Sequence, residues 1–239
     1  MLDAVTDLLL GGRCVGCARP GRLLCGGCEA ALPAGAGPAW PVPAPPGLAP
    51  PWAATSYDGV TRAMVLGLKE RRLLGLARPL TGLLVQAVVA AAPAGPVVLV
   101  PVPSRPASVR ARGHDPTYTL AAGAAVRLRR EGYDVRATRL LRTRPGLLDQ
   151  AGLDAVARAR NLAGSMTCPT AGLRRLAAAA PRVRVVVCDD VLTTGATTRE
   201  AQRALESVGL QVAGIAAVAA TRRRRVESGT SVPLIPGAR

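Results

Sequence analysis

Short unbroken apolar runs recur through this chain. Between them lie stretches in which apolar residues fall three and four apart. VVLVPVP (97–103), Arg182 to Cys188 and Gln211 to Ala219 each read as a buried strand, and a further strand is predicted near 136–141. Helical spacing marks residues 59–75, 77–91, 115–131, 152–161 and Ala196 to Val208, the last ending at Gly209. Asp115 before Pro116 is a helix-start signal: a side-chain acceptor precedes a residue that has no N–H to satisfy. TSYDGV reads as a short strand and turn. Strands alternating with helices predict an α/β domain with a mainly parallel, twisted sheet and flanking helices. The apolar zone Leu80 to Val102 carries Gln86 and is cut by Pro93, Pro96 and Pro101. It reads as helix, turn and strand rather than a membrane span, so no membrane insertion is expected.

The pattern changes before Trp52. Residues 1–11 have the apolar face of a short helix, with Val5, Leu8 and Leu9 together. Residues 33–51 are Pro-rich with almost no polar side chains, which predicts a semi-extended linker rather than a core element. The division expected is a cysteine module over 1–32, the linker over 33–51, the α/β domain over 52–221, and a basic, flexible tail over 222–239. MLDAVTDLLL opens with an acidic residue instead of a basic region, so no signal peptide is expected and the location is read as cytoplasmic. Cys14, Cys17, Cys25 and Cys28 are spaced C-x2-C-x7-C-x2-C. Each two-residue gap lets one tight knuckle aim both sulfurs at one ion, and two knuckles make a closed tetrahedral thiolate site for structural Zn2+. Two disulfides are the alternative, disfavoured in a cytoplasmic chain. Cys168 and Cys188 read as small core or loop residues.

Charge adds a question about partners. The formal net charge is +16, and of 31 Lys plus Arg only Lys69 is a lysine. Such a balance suits polyanions, although a general drift towards Arg, Ala, Gly and Pro accounts for it equally well. With aromatics at 2% and no Phe, a base-stacking platform for single strands is not expected. Arg127, Arg129, Arg130, Arg136, Arg139, Arg142 and Arg144 form a dense basic segment, which is either a solvated face or a surface for DNA phosphates.

The most specific signal is VVVCDDVLTTGAT, residues 185–197. At the carboxyl end of a parallel strand, side chains enter the crevice where α/β proteins hold ligands. Asp189 and Asp190 offer acceptors only, which match the vicinal hydroxyls of a ribose. The loop behind them opens a helix, so its backbone N–H groups and the positive end of the helix make an anion cradle. Thr193, Thr194 and Thr197 add hydroxyls, and Gly195 lets the backbone come close. The ligand implied has a diol at one end and a phosphate at the other. A Walker-type nucleotide site needs G-x-x-x-x-G-K-[ST], and a dinucleotide fold needs G-x-G-x-x-G; neither occurs.

The stretch resembles the thirteen-residue phosphoribosyl pyrophosphate (PRPP) motif of type I phosphoribosyltransferases. The chain from about 12 to 221 resembles one subfamily, the ComF-like proteins, in which a four-cysteine zinc module precedes a phosphoribosyltransferase domain. The matching pieces occur in order: the cysteines, LGLKERR around Lys69, VPVPSR at 100–105, ARGHD at 111–115, residues 149–166 and the core motif. The resemblance implies that Asp189 and Asp190 hold the ribose hydroxyls, and that Thr193, Thr194, Gly195, Ala196 and Thr197 hold the 5-phosphate. It implies a pyrophosphate loop at Pro103, Ser104 and Arg105, with Arg112 closing on pyrophosphate and Lys69 contacting pyrophosphate or a partner. Mg2+ would accompany PRPP. Gln150, Arg160 and Asn161 match subfamily positions without a chemical assignment. The subfamily follows Arg-Gly with an aromatic and Asn-Gln, whereas this chain has His114, Asp115 and Pro116; His114, the only histidine, reads as an exposed loop residue. Two functions follow from the resemblance. One is phosphoribosyl transfer to an unnamed acceptor. The other is a non-catalytic accessory role in DNA uptake, binding PRPP and single-stranded DNA, with the zinc module docking a protein partner.

Overall fold

A computed structural model describes residues 12–92, 94–144, 164–179 and 183–221. The predicted helices over 1–11 and 152–161, the positions Gln150, Arg160 and Asn161, and the tail from 222 lie outside the described residues. In chain order the elements are α1 (Gly26–Ala30), β1 (Gly37–Pro38), β2 (Pro51–Ser56), α2 (Gly59–Glu70), a 3-10 turn (Leu74–Leu76), α3 (Ala77–Ala91), β3 (Val97–Pro101), α4 (Pro106–Arg112) and α5 (Pro116–Arg130). They continue with β4 (Val135–Ala137), β5 (Arg142–Thr143), β6 (Met166–Thr167), α6 (Thr170–Ala179), β7 (Arg184–Leu192), α7 (Ala196–Glu206) and β8 (Val212–Ala220).

Six strands form one sheet in the order β1-β2-β8-β7-β3-β4, parallel throughout except for β1 against β2. The expected α/β architecture is therefore present. The unbroken apolar runs have a simple cause: both sheet faces are covered, so residues 97–101 of β3 and 185–188 of β7 are buried at every position. Successive residues point to opposite faces. Leu99, Val186, Cys188, Ala216 and Val218 join the core under α2, α3 and α5. Val98, Val100, Val185, Val187 and Ile215 join the core under α7, with Leu140, Leu141 and Met166. The stretch Leu74–Ala91 is long and apolar enough by composition to cross a membrane. Here its Leu80, Leu84, Ala87 and Val88 are fully buried in the core shared with the sheet.

Asp115 caps α5 as the sequence predicts, accepting from the Tyr118 N–H at 3.3 Å with Pro116 in the first turn. Three expectations need correction. β7 does not stop at Cys188 but runs to Leu192. The strand expected near 136–141 is only Val135–Ala137, because Leu140 and Leu141 leave the sheet and fill the core beneath α7. The Pro-rich segment is not outside the core either. Its Pro41, Leu48 and Ala49 are buried, Gly37–Pro38 form the edge strand β1, and Gln202 of α7 clamps the segment. The Gln202 amide accepts from the Ala49 N–H and donates to the Gly47 carbonyl, both at 2.9 Å.

Candidate functional site

The site follows from where strand order reverses. From β7 the chain crosses by α7 to β8 on one side; from β3 it crosses by α5 to β4 on the other. A crevice opens outside the carboxyl ends of β3 and β7, the usual ligand position in open α/β sheets. β3 gives out first: its last pair is Pro101 with Cys188, whereas β7 stays paired with β8 as far as Leu192. Residues 189–192 therefore have one edge bonded and one edge facing the crevice.

Asp189 and Asp190 occupy that half-free stretch. They alternate across the strand, yet both line the resulting cleft of about 350 Å3, with Lys69, Ser104, Thr193 and Thr197. The Asp190 carboxylate is 5% exposed and ion-paired with the Lys69 ammonium, which reaches over from the last turn of α2. Asp189 accepts from the Asp190 N–H at 2.8 Å. Burial, and after it the charge of Asp190, push the Asp189 carboxyl well above the ordinary carboxylate range, with Lys69 opposing. For Lys69 burial works downwards, but the two carboxylates outweigh it and hold the ammonium above the ordinary lysine value. The cleft thus concentrates two acceptor groups against one cation.

The loop after β7 turns sharply at Gly195, whose φ of 73° is left-handed and which serves as the N-cap of α7. The Thr198 hydroxyl donates to the Gly195 carbonyl at 3.0 Å, so the turn is fixed from within the helix. A Cβ at Gly195 would also lie 3.0 Å from Pro41 and 3.2 Å from Leu48, so the Pro-rich segment packs on this loop. Thr193 and Thr197 face the cleft, whereas Thr194 and Ala196 face a second cavity on the Pro-rich side.

The stretch from β7 through β8 matches the family model described as phosphoribosyl transferase domain, over residues 181–232. The match contains the carboxylate pair, the Gly195 turn and α7. No curated protein matches the chain.

The remaining expected residues divide. Ser104 lines the cleft and donates to Asp115 at 2.9 Å, which ties the turn after β3 to the start of α5. Arg105 is exposed at the N-cap of α4 and Arg112 stands in its last turn, neither lining the cleft; Arg112 pairs with Glu70 at 3.3 Å. His114 is half-buried rather than exposed, with Nδ1 3.3 Å from the Arg112 carbonyl. In the basic segment, Arg127 pairs with Glu131, Arg129 donates to the Val135 carbonyl, and Arg139 stacks on Tyr118. Tyr57 and Thr117 also line the cleft. The one sequence signal for either is position: Tyr57 directly follows β2, and Thr117 stands two residues after the Asp115 cap.

The four module cysteines are positioned to bind a metal ion: their sulfurs all lie within 4.8 Å of one another. A tetrahedral ion with bonds of about 2.3 Å needs sulfurs about 3.8 Å apart, and Cys17 and Cys25 are at 3.6 Å. Burial opposes a Cys14 thiolate, but the N–H groups of Cys25, Cys17 and Gly16 outweigh it and bring its pKa to about 6. The crowded sulfurs of Cys25 and Cys14 push Cys28 up to about 12. Four sulfurs this close are suited to share one cation. The module is packed on the domain: Cys14 and Leu24 belong to the core beneath α2 and α3, and a Cβ at Gly16 would lie 2.9 Å from Val60 of α2.

Proposed function

We propose that this chain is a ComF-like phosphoribosyltransferase that binds PRPP with Mg2+ in the cleft between β3 and β7 and transfers the phosphoribosyl group to an acceptor. The observation that carries the reading is Asp189 and Asp190, held beside an ammonium at the mouth of a small-residue helix start. Asp189 and Asp190 accept from the ribose hydroxyls. The Thr193 and Thr197 hydroxyls, with backbone amides of the loop, hold the 5-phosphate, and Ser104, also lining the cleft, is the candidate on the pyrophosphate side. Bound Mg2+ would supply positive charge to pyrophosphate and ribose oxygens, with the carboxylate pair as the protein groups suited to it. Lys69, paired with Asp190, would also reach pyrophosphate oxygens when PRPP is bound. Arg105 and Arg112 would add positive charge from α4, Arg112 after leaving Glu70. Positioning and charge neutralisation of this kind are what a ribosyl-cation transition state requires. We assign Zn2+ to the four cysteines.

Calorimetric titration with PRPP and Mg2+ tests the reading. Binding is expected in the wild type and lost in the Asp189→Asn/Asp190→Asn variant, with zinc content unchanged. Retained affinity in that variant would refute the ribose assignment. Pyrophosphate release that rises on adding a nitrogenous acceptor separates transfer from binding alone.

A further inference from the structure

The hydroxyl of Ser104, a residue lining the cleft, has one proton to give, and Asp115 takes it. The bond is 2.9 Å long and its direction is fixed, because an ionised carboxylate only accepts. Asp115 is in turn held from two sides. The oxygen that accepts from Ser104, Oδ1, also accepts from the Tyr118 N–H at 3.3 Å and so caps α5. Its other oxygen, Oδ2, lies 3.9 Å from Nε of Arg139, whose guanidinium covers the Tyr118 ring. The Asp115 side chain is 13% exposed, so little water competes for these contacts. What Ser104 has left for a ligand is therefore lone pairs. Pyrophosphate oxygens are acceptors as well, and gain nothing from a hydroxyl whose proton is committed elsewhere. The same cleft holds the carboxylates of Asp189 and Asp190. Oxygen acceptors gathered in this way suit a hard divalent cation with its waters.

We propose that Ser104 serves bound PRPP as an acceptor on the side of its Mg2+ rather than as a donor to pyrophosphate, and that Asp115 is the positioning residue that sets this polarity. The inference rests on the PRPP reading of the cleft. Mg2+ gives up its waters reluctantly and is held through one or two carboxylates and substrate phosphates. The protons of its hydration shell are the donors that a serine lone pair can meet. Donation to Asp115 polarises the serine hydroxyl and makes its oxygen the better acceptor. Ser104 thus reaches pyrophosphate through the cation, not directly.

Equilibrium dialysis of labelled PRPP against the full chain tests this, with saturating Mg2+ and with no added divalent cation. Titration of Mn2+ into the protein–PRPP complex, followed by electron paramagnetic resonance, reads the cation directly. Ser104→Ala is expected to weaken PRPP binding about tenfold with Mg2+, to leave it unchanged without, and to weaken Mn2+ binding about tenfold. Asp115→Ala is expected to do the same, and the double variant to lose no more than either alone, since one residue acts through the other. Asp115→Asn, whose amide oxygen can still accept from Ser104 and Tyr118, should keep the wild-type metal dependence. Equal weakening with and without Mg2+ in Ser104→Ala would make the serine a direct contact of PRPP and overturns the proposal. Unchanged Mn2+ affinity in that variant also overturns it, and leaves the PRPP reading of the cleft intact. Additive losses in the double variant reduce Asp115 to a helix cap and overturn its positioning role. Absence of PRPP binding in the wild type refutes the reading of the cleft and this inference with it.

Discussion

At the scale of single residues, the cleft is an arrangement of charges that oppose one another. Asp189 is held above its ordinary value, so the folded state favours its protonated form. A group raised in this way stabilises the fold below its unfolded value and loses that contribution as pH rises through the folded one. At neutral pH, well above the unfolded value, Asp189 therefore works against the fold. Asp189→Asn should raise Tm by about 2–4 °C, corresponding to about 1 kcal/mol, while abolishing PRPP binding; a lowered Tm would contradict the account. Lys69→Met should act in the opposite sense, because it leaves two carboxylates facing each other without their cation. The Lys69 side chain is 29% exposed, so the loss is expected at about 1–2 kcal/mol rather than the full cost of a broken buried pair. The two changes should not add: in the Lys69→Met background, Asp189→Asn should recover more stability than in the wild type. Thermal melts of the four proteins measure that coupling.

At the scale of elements, what was legible depended on whether the cause was local. β3, β8 and α5 follow from apolar runs, from 3.6-residue spacing and from the Asp115 cap, all visible within a few positions. The apolar run of β7 ends at Cys188 but the strand does not, because a backbone ladder is indifferent to charge. Its last residues stay paired with β8, and Lys69, distant in sequence, neutralises the carboxylate that faces α2. No local pattern contains that contact. The place of the Pro-rich segment is hidden from local sequence for the same reason. Prolines suggested a solvated spacer, while the groups that satisfy its backbone, Gln202 and Arg199, lie on α7. α4 carries no apolar stripe that would announce it. The same helix α7 yields two predictions. Gln202→Leu should leave the Ala49 N–H and the Gly47 carbonyl unpaired, costing about 1–3 kcal/mol, and should expose the Pro-rich segment to protease. Unaltered cleavage there would show that Gln202 is not the clamp. Glu200 accepts from the Met166 N–H at 2.9 Å and from Arg203, joining β6 to α7. Burial raises its pKa, but Arg203 and the backbone donors outweigh that and hold it below the ordinary value. Its stabilisation is present above the unfolded glutamate value of 4.5 and is lost as pH falls through the folded one. Glu200→Gln should therefore lower Tm by a few degrees at pH 7, and the difference from wild type should shrink as pH is lowered below 4.5.

At the scale of the whole molecule, the cysteine module and the cleft meet on one helix. α2 begins against the module, where Val60 packs beside Gly16 and Cys28, and ends at Lys69 in the cleft. The cysteine spacing disclosed a metal-binding set, but not that the set is built into the domain core. A module hung on a linker would lose its metal without consequence for the rest. One whose Cys14 and Leu24 lie in the principal core cannot, because four crowded thiolates without a cation must either take up protons or separate. Chelation under reducing conditions should make four additional thiols reactive towards a disulfide reagent, those of Cys14, Cys17, Cys25 and Cys28. Cys188, fully buried, should stay unreactive until global unfolding. Tm should fall together with metal content. PRPP affinity should fall as well, because the start of α2 loses its support and Lys69 its fixed approach to Asp190. A chelated protein with all four thiols reactive, an unchanged Tm and undiminished PRPP affinity would show the module to be energetically independent. Re-addition of Zn2+ should reverse the three effects together, which separates loss of metal from irreversible damage.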